Sequence, residues 1–199
     1  MRGSSSGDEE TVWCSLVPKK INILAWRVKL GRIQTRSVLD GMEIDLDTVL
    51  CPRCGLTVET VDHAIVSCVE VRSLWSRIGV WWNKDLSGVD TVAQLLQSDA
   101  EEIRESNGNT LWVAVKWSFI YLVWNHRNNL VFNKEEKRIT DVFFEWQRKV
   151  FEWLSKRSKA NHLDWGTWLS GMARSITAGQ SRGARSNLRR SQEAEAVVL

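Results

Sequence analysis

With 199 residues, 43% hydrophobic and 26% charged side chains, the chain has the usage of an ordinary globular domain and enough apolar content for one core. Its formal net charge of +3 resides in the last stretch. From Gly171 to Leu199 five arginines face two glutamates, which leaves the first 170 residues balanced at 22 basic and 22 acidic. A uniformly basic nucleic-acid-binding domain is thereby excluded, whereas a local basic patch and a basic tail are not.

The opening segment, MRGSSSGDEE, has no apolar run of the kind a secretory signal needs. It reads as a disordered leader over residues 1–11. The most apolar stretch, Leu111–Trp124, is interrupted by Lys116 and is too short to span a bilayer comfortably. The expectation is a soluble, intracellular protein of the nucleus or cytoplasm. In such a reducing compartment clustered cysteines bind metal more readily than they oxidise.

In chain order, Pro18 stands where a first helical turn begins. Ile21, Leu24, Ala25 and Val28 then share one face at helical spacing, with Ile23, Trp26 and Leu30 on the other. A helix apolar on two sides is expected between two neighbours. Gly31 is the stop, and Thr35 can cap a short helix running to Asp40. Residues 42–50, MEIDLDTVL, read as a short strand or an extended lead-in. Val71, Leu74, Trp75, Ile78 and Trp82 mark an amphipathic helix ending near Asn83, followed by a loop, KDLSGVD. A weaker helix is expected over Val92–Ile103 and a turn at ESNGN. A long central helix runs from Thr110 to about Phe132. Another follows, with Ile139, Val142, Phe143, Trp146, Val150, Trp153 and Leu154 in its stripe. The Arg/Ser/Gly/Ala-rich residues 171–199 lack the apolar content to offset ordering entropy. The fold class is mostly α. The expected divisions are a leader (1–11), a zinc-binding domain (12–84), a helical extension (85–170) and a disordered Arg-rich tail (171–199).

Three of the four cysteines and one of the three histidines fall within CPRCGLTVETVDHAIVSC, residues 51–68. The spacing is C-x2-C-x8-H-x4-C, from Cys51, Cys54, His63 and Cys68. A C-x2-C turn directs two thiolates at one centre, and Gly55 eases that turn. Thr60 can cap a short helix that presents His63 inward, with Cys68 about one turn beyond. Four S/N donors suit tetrahedral Zn²⁺ and leave no open position, so the expected cofactor is structural Zn²⁺. The competing reading, buried free cysteines and a core histidine, is favoured for the solitary Cys14 only. Asp62 is weighed as a support for a ligand against an exposed carboxylate, and the second is preferred.

The segments VPKKINILAWRVKLGRIQTRSVL, CPRCGLTVETVDHAIVSC and LWSRIGVWW, in this order, resemble the reverse transcriptase zinc-binding domain of plant LINE-type (non-LTR) retrotransposons. LVWNHRNNLVFN is similar to the W-x-x-R-N-x-x-x-F segment that commonly follows this domain. The likeness covers about residues 12–133. It departs at Ile33-Gln34, where Leu-Pro is usual. The resemblance implies a zinc-binding accessory domain downstream of a polymerase. The zinc ligands would be Cys51, Cys54, His63 and Cys68, with RNA or DNA and a reverse transcriptase domain as expected partners.

Residues 17–40 hold Lys19, Lys20, Arg27, Lys29, Arg32 and Arg36 against Asp40 alone, and Arg53 lies in the knuckle. These seven are the candidate phosphate contacts, with Arg72 and Arg77 following on the next helix. Trp26, Trp81 and Trp82 are candidates for stacking on bases, although core packing is favoured for tryptophans at this spacing. The second hypothesis is a zinc-stabilised protein-interaction module, which an exposed patch at Trp81, Trp82 and Trp124 would favour. No paired-aspartate polymerase motif, ribonuclease H carboxylate set, phosphate-binding glycine loop or Ser/His/Asp arrangement is found. Asp45, Asp47, Glu101 and Glu102 read as surface, and His126 and His162 as structural. The expectation is no enzyme, no small-molecule substrate and no membrane.

Overall fold

The computed structural model describes residues 13–97, 99, 109–133, 138–157 and 164–170. The expected leader and tail, the ESNGN turn before residue 109, His162, Glu101 and Glu102 lie outside these residues. The described fold is helical: α1 (Lys19–Lys29), α2 (Arg36–Asp40), α3 (Val69–Trp82), α4 (Val92–Leu96), α5 (Asn109–Asn128), α6 (Ile139–Arg157) and α7 (Trp165–Ser170). Two π-turns interrupt it, at His63–Ser67 and Asn129–Asn133. Residues 42–50 form no strand; Leu50 makes only an isolated antiparallel bridge with Val58.

Local chemistry accounts for the helix ends. Pro18 is the N-cap of α1, and its carbonyl accepts the N–H of Ile21 at 2.9 Å. Beyond the C-cap of α1, Gly31 takes φ +65°, a conformation that costs a glycine little. Helix α3 ends on Asn83, also left-handed. Thr91 caps α4 through a reciprocal box with Gln94.

Helix α5 is the centre. Residues Trp112–Ile120 are buried in succession, because α1 and the first π-turn pack against it on one side and α6 on another. Lys116, which breaks the apolar run in sequence, is 2% exposed. Its ammonium ion pairs with Asp99, donates to Leu95 O at 3.2 Å and lies over the Trp112 ring. A charge on the central helix is thus tolerated because partners replace its water.

Tryptophans make much of the core. Trp82 stacks on Trp112 at 5.7 Å, and Trp81 meets Trp168 edge-on at 4.6 Å while donating its indole N–H to Trp168 O. Trp168 belongs to α7, a helix too short to read from periodicity, and is fully buried. Trp81, Trp82 and Trp124 therefore leave no exposed apolar patch. Helix α1 departs from expectation. Ile21, Ala25 and Val28 are buried, but Ile23, Trp26 and Leu30 are 46%, 39% and 44% exposed. The buried side of α1 packs on α5 and α4, and among the described residues nothing covers the Ile23, Trp26 and Leu30 stripe.

One carboxylate joins the cysteine-bearing segment to this frame. Glu59 is fully buried and receives the guanidinium of Arg127 on α5 through both oxygens, at 2.7 and 2.6 Å. It also accepts the backbone N–H of Arg36 at 2.8 Å, fixing the first turn of α2. The Glu59 carbonyl takes the Ser37 hydroxyl at 2.8 Å. Removing one partner of a buried pair leaves the other uncompensated, at a cost of about 3–5 kcal/mol, whereas removing both costs less. Glu59→Gln is therefore expected to lower unfolding stability by that order in a denaturant titration. Combining it with Arg127→Met should recover part of the loss. A single-variant loss below about 1 kcal/mol would mean the pair does not hold the two segments together.

Candidate metal centre

The segment from Leu50 to Cys68 folds as a knuckle and a π-turn. Cys51 N donates to Thr57 O at 2.7 Å and Gly55 N to Cys51 O at 2.9 Å, which bends the C-x2-C chain back on itself. Gly55 has φ +67°, the conformation for which its place after Cys54 suits it. Thr60 Oγ1 accepts the His63 N–H at 3.1 Å and starts the helical turn. The chain then widens, so that His63 O accepts the Cys68 N–H at 2.9 Å, a contact five residues apart. A regular α-turn would pair residues four apart; the π-turn absorbs the fourth intervening residue and returns Cys68 beneath His63.

The result is a convergence of four donor atoms. Cys51, Cys54 and Cys68 Sγ and a ring nitrogen of His63 all lie within 4.8 Å of one another. Cys54 Sγ and His63 Nε2 are 3.4 Å apart. A tetrahedral zinc with Zn–S about 2.3 Å and Zn–N about 2.0 Å separates its donors by about 3.5–3.8 Å, so the set fits Zn²⁺ in number, type and spacing. Three of the four residues are buried and Cys54 is half-buried. A site closed by four protein donors has no place for substrate, and its role is to hold the fold. Cys14 lies apart in the core, its thiol pushed up by burial.

Cys51 hydrogen-bonds to Cys68, which pushes Cys51 up to about 12 and brings Cys68 down to about 7. Arg53 supplies the nearby cation. Its guanidinium is directed inward, donating to Ala64 O at 2.8 Å and to Val123 O of α5. Burial lowers its pKa, and the neighbouring Cys51 and Cys68 oppose that shift. Zn²⁺ with three thiolates and a neutral imidazole carries one net negative charge, which a cation at this place offsets. Asp62 is neither a support for a ligand nor a free surface carboxylate: its Oδ1 accepts the Val92 N–H at 2.7 Å and holds the start of α4.

The other predicted cations divide. Lys19, Lys20, Arg27, Lys29 and Arg32 are exposed on α1 and the turn after it. Arg36 is half-buried, with one guanidinium nitrogen on Leu50 O at 2.6 Å. Arg72 pairs with Asp90, and Arg77 lies 4.5 Å over the Phe143 ring. The α1 cations are thus exposed, although Lys20 lies over the Tyr121 ring of α5, and Arg53 directs its guanidinium inward. Sequence reasoning did not find the roles of Glu59 and Arg127. Arg127 does fall within the W-x-x-R-N pattern, as its arginine, and that was the available signal.

Residues 2–75 match the family described as zinc-binding in reverse transcriptase. No curated protein and no solved structure gives a match. The matched segment contains all four donors and ends within α3, short of the α5 residues that seat the knuckle.

Metal analysis of the purified chain is expected to find one zinc per molecule, removed by a strong chelator with loss of helical signal and a lowered Tm. Zinc-finger peptides derive about 10–16 kcal/mol from such a site. An unchanged Tm after verified removal of the metal would show that the centre does not support the fold. Cys68→Ser should bind zinc more weakly for want of a fourth donor, whereas Cys14→Ser should keep full stoichiometry.

Proposed function

We propose that the chain is a zinc-stabilised accessory module of a non-LTR, LINE-type retrotransposon reverse transcriptase of plants. It acts in the nucleus or cytoplasm by binding RNA or DNA without sequence selection and without catalysis. Zinc bound by Cys51, Cys54, His63 and Cys68 holds the module together. The observation that carries the reading is the pairing of a closed Cys3His donor set with a segment matching the reverse transcriptase zinc-binding family. The exposed face of α1 supports the nucleic-acid part. Lys19, Lys20, Arg27, Lys29 and Arg32 stand there at the surface, with Trp26 partly exposed among them. Phosphate contacts of this kind release counterions and carry little sequence information. Among the described residues no helix is long and apolar enough to cross a membrane.

A second reading, docking onto a polymerase domain, is favoured by one feature. The Ile23, Trp26 and Leu30 stripe on α1 is exposed and flanked by Arg27 and Lys29. Both readings use the same helix, and charge and apolar substitutions separate them.

Replacing Lys19, Lys20, Lys29 and Arg32 together by Gln is expected to reduce the slope of log Kobs against log salt by about 3 for single strands. An unaltered slope in a filter-binding series would remove the α1 face from the interface. Ile23→Ser with Leu30→Ser should leave that slope intact. If docking is the function, the same pair abolishes capture of the cognate polymerase domain.

A further inference from the structure

Two cavities of similar size flank α5, and their walls differ in charge. One, of about 590 Å³, lies between α5 and α6 and carries Asp141 and Glu145 beside Lys149. Those carboxylates oppose phosphate. The other, of about 680 Å³, lies between the α1–α2 region and the end of α5. Its floor is apolar, formed by Leu39, Leu46, Val131 and Trp124. Arg27 and Arg36 line it against Asp47, with the amides of Gln34 and Asn128 beside them, and the buried Arg127 lies beneath, over the Trp124 ring. Phe132, 73% exposed, stands on the same groove.

We propose that this groove takes one unpaired nucleotide of a single strand whose backbone follows the basic face of α1. The inference rests on the nucleic-acid reading above and specifies it. Arg127 is neutralised by Glu59, so the cations open to a phosphate are Arg27 and the part of Arg36 not turned to Leu50. A phosphate between them places its base over the apolar floor and against Phe132. The Gln34 amide can donate and accept at a base edge, while the Asn128 oxygen already accepts from Arg127 at 3.2 Å. A duplex keeps its bases stacked inside and reaches only the rim. The groove therefore discriminates by strand state, through stacking, rather than by sequence.

The geometry of the site is imposed from below. The Glu59 carboxylate that binds Arg127 also fixes the backbone of Arg36, so two residues lining the groove share one buried anchor. Ile33-Gln34 is the place where the chain departs from the usual Leu-Pro. Ile33 is buried, and Gln34 gives the groove an amide.

The test is fluorescence anisotropy of the full chain, zinc-loaded, with a labelled mixed-sequence oligonucleotide as single-stranded RNA, as single-stranded DNA and as blunt duplex DNA, at low and moderate salt. Either single strand is expected to bind about tenfold or more tightly than the duplex, since one stacked base contributes roughly 1–3 kcal/mol. Comparing the two single strands tells whether the sugar matters. Phe132→Ala, at an exposed position that leaves the core intact, should weaken single-strand binding about tenfold and leave duplex binding unchanged. Leu46→Glu, which puts a carboxylate into the floor, should do the same, with circular dichroism reporting that both variants remain folded. If single strand and duplex bind alike and neither variant matters, while Lys19→Gln with Lys20→Gln weakens both, the groove proposal is overturned and the basic-face reading stands. If no probe binds even at low salt, the nucleic-acid reading falls and the groove with it.

Discussion

The arrangement depends on a carboxylate that has no access to water. Glu59 lies between the cysteine knuckle and the central helix, and its two oxygens accept three N–H donors from Arg127 and Arg36. A buried charge without partners is expelled or neutralised by proton uptake; here two forked hydrogen bonds and one backbone N–H take the place of its hydration shell. The segment that carries Glu59 can rest against α5 in few other positions, because a displacement that breaks one bond strands two charges. Arg53 reinforces the same contact from the other side by donating to Val123 O. The knuckle is therefore attached to α5 by two guanidinium contacts of opposite direction, one running from α5 to the knuckle and one from the knuckle to α5.

Zinc and this ion pair do different work. The four donors join the knuckle at Cys51 and Cys54 to the turn that carries the buried Ala64, Ile65 and Val66. The ion pair determines where that stretch sits on the remainder. This explains why the match to the zinc-binding family, which ends at residue 75, contains the whole donor set and yet not the whole mechanical unit. Arg127, Val123 and the buried face of α5 complete it. The sequence division at residues 84 and 85 runs through one continuous core in which Ile21, Leu74, Val113 and Ile120 take part together.

What could be read in advance followed from short-range rules. Helical spacing placed α3 and its end at Asn83, the Pro18 and Gly31 signals bracketed α1, and the ligand spacing brought Cys51, Cys54, His63 and Cys68 together. The features that escaped reading depend on partners distant in sequence. Glu59 and Arg127 are 68 positions apart, and although Arg127 stands in the W-x-x-R-N pattern, nothing local in the sequence pairs it with Glu59. The exposed stripe of α1 escaped for the opposite reason: its pattern is that of a buried helix, and only the absence of a packed neighbour on that side leaves Ile23, Trp26 and Leu30 to solvent. The π-turn at His63 has no signature in periodicity, although an H-x4-C spacing with one residue more than an α-turn needs is the arithmetic from which it follows.

Composition alone does not show where the basic residues stand. The chain's positive charges fall into groups that net charge cannot separate. Lys116, Arg53 and Arg127 are interior cations, each matched by a carboxylate, a carbonyl or the thiol cluster. Arg72 and Arg77 bind other side chains on the surface. The α1 cations are exposed, as are Arg148, Lys149, Lys156 and Arg157 on α6. An arginine inside a metal-binding motif looks, on paper, like a phosphate contact. Beside three cysteines that lose their protons on binding zinc, the same guanidinium is better placed to balance the ligands' negative charge, and its two carbonyl acceptors hold it there. The knuckle thus uses its arginine to hold its own fold, and the exposed cations among the described residues lie elsewhere.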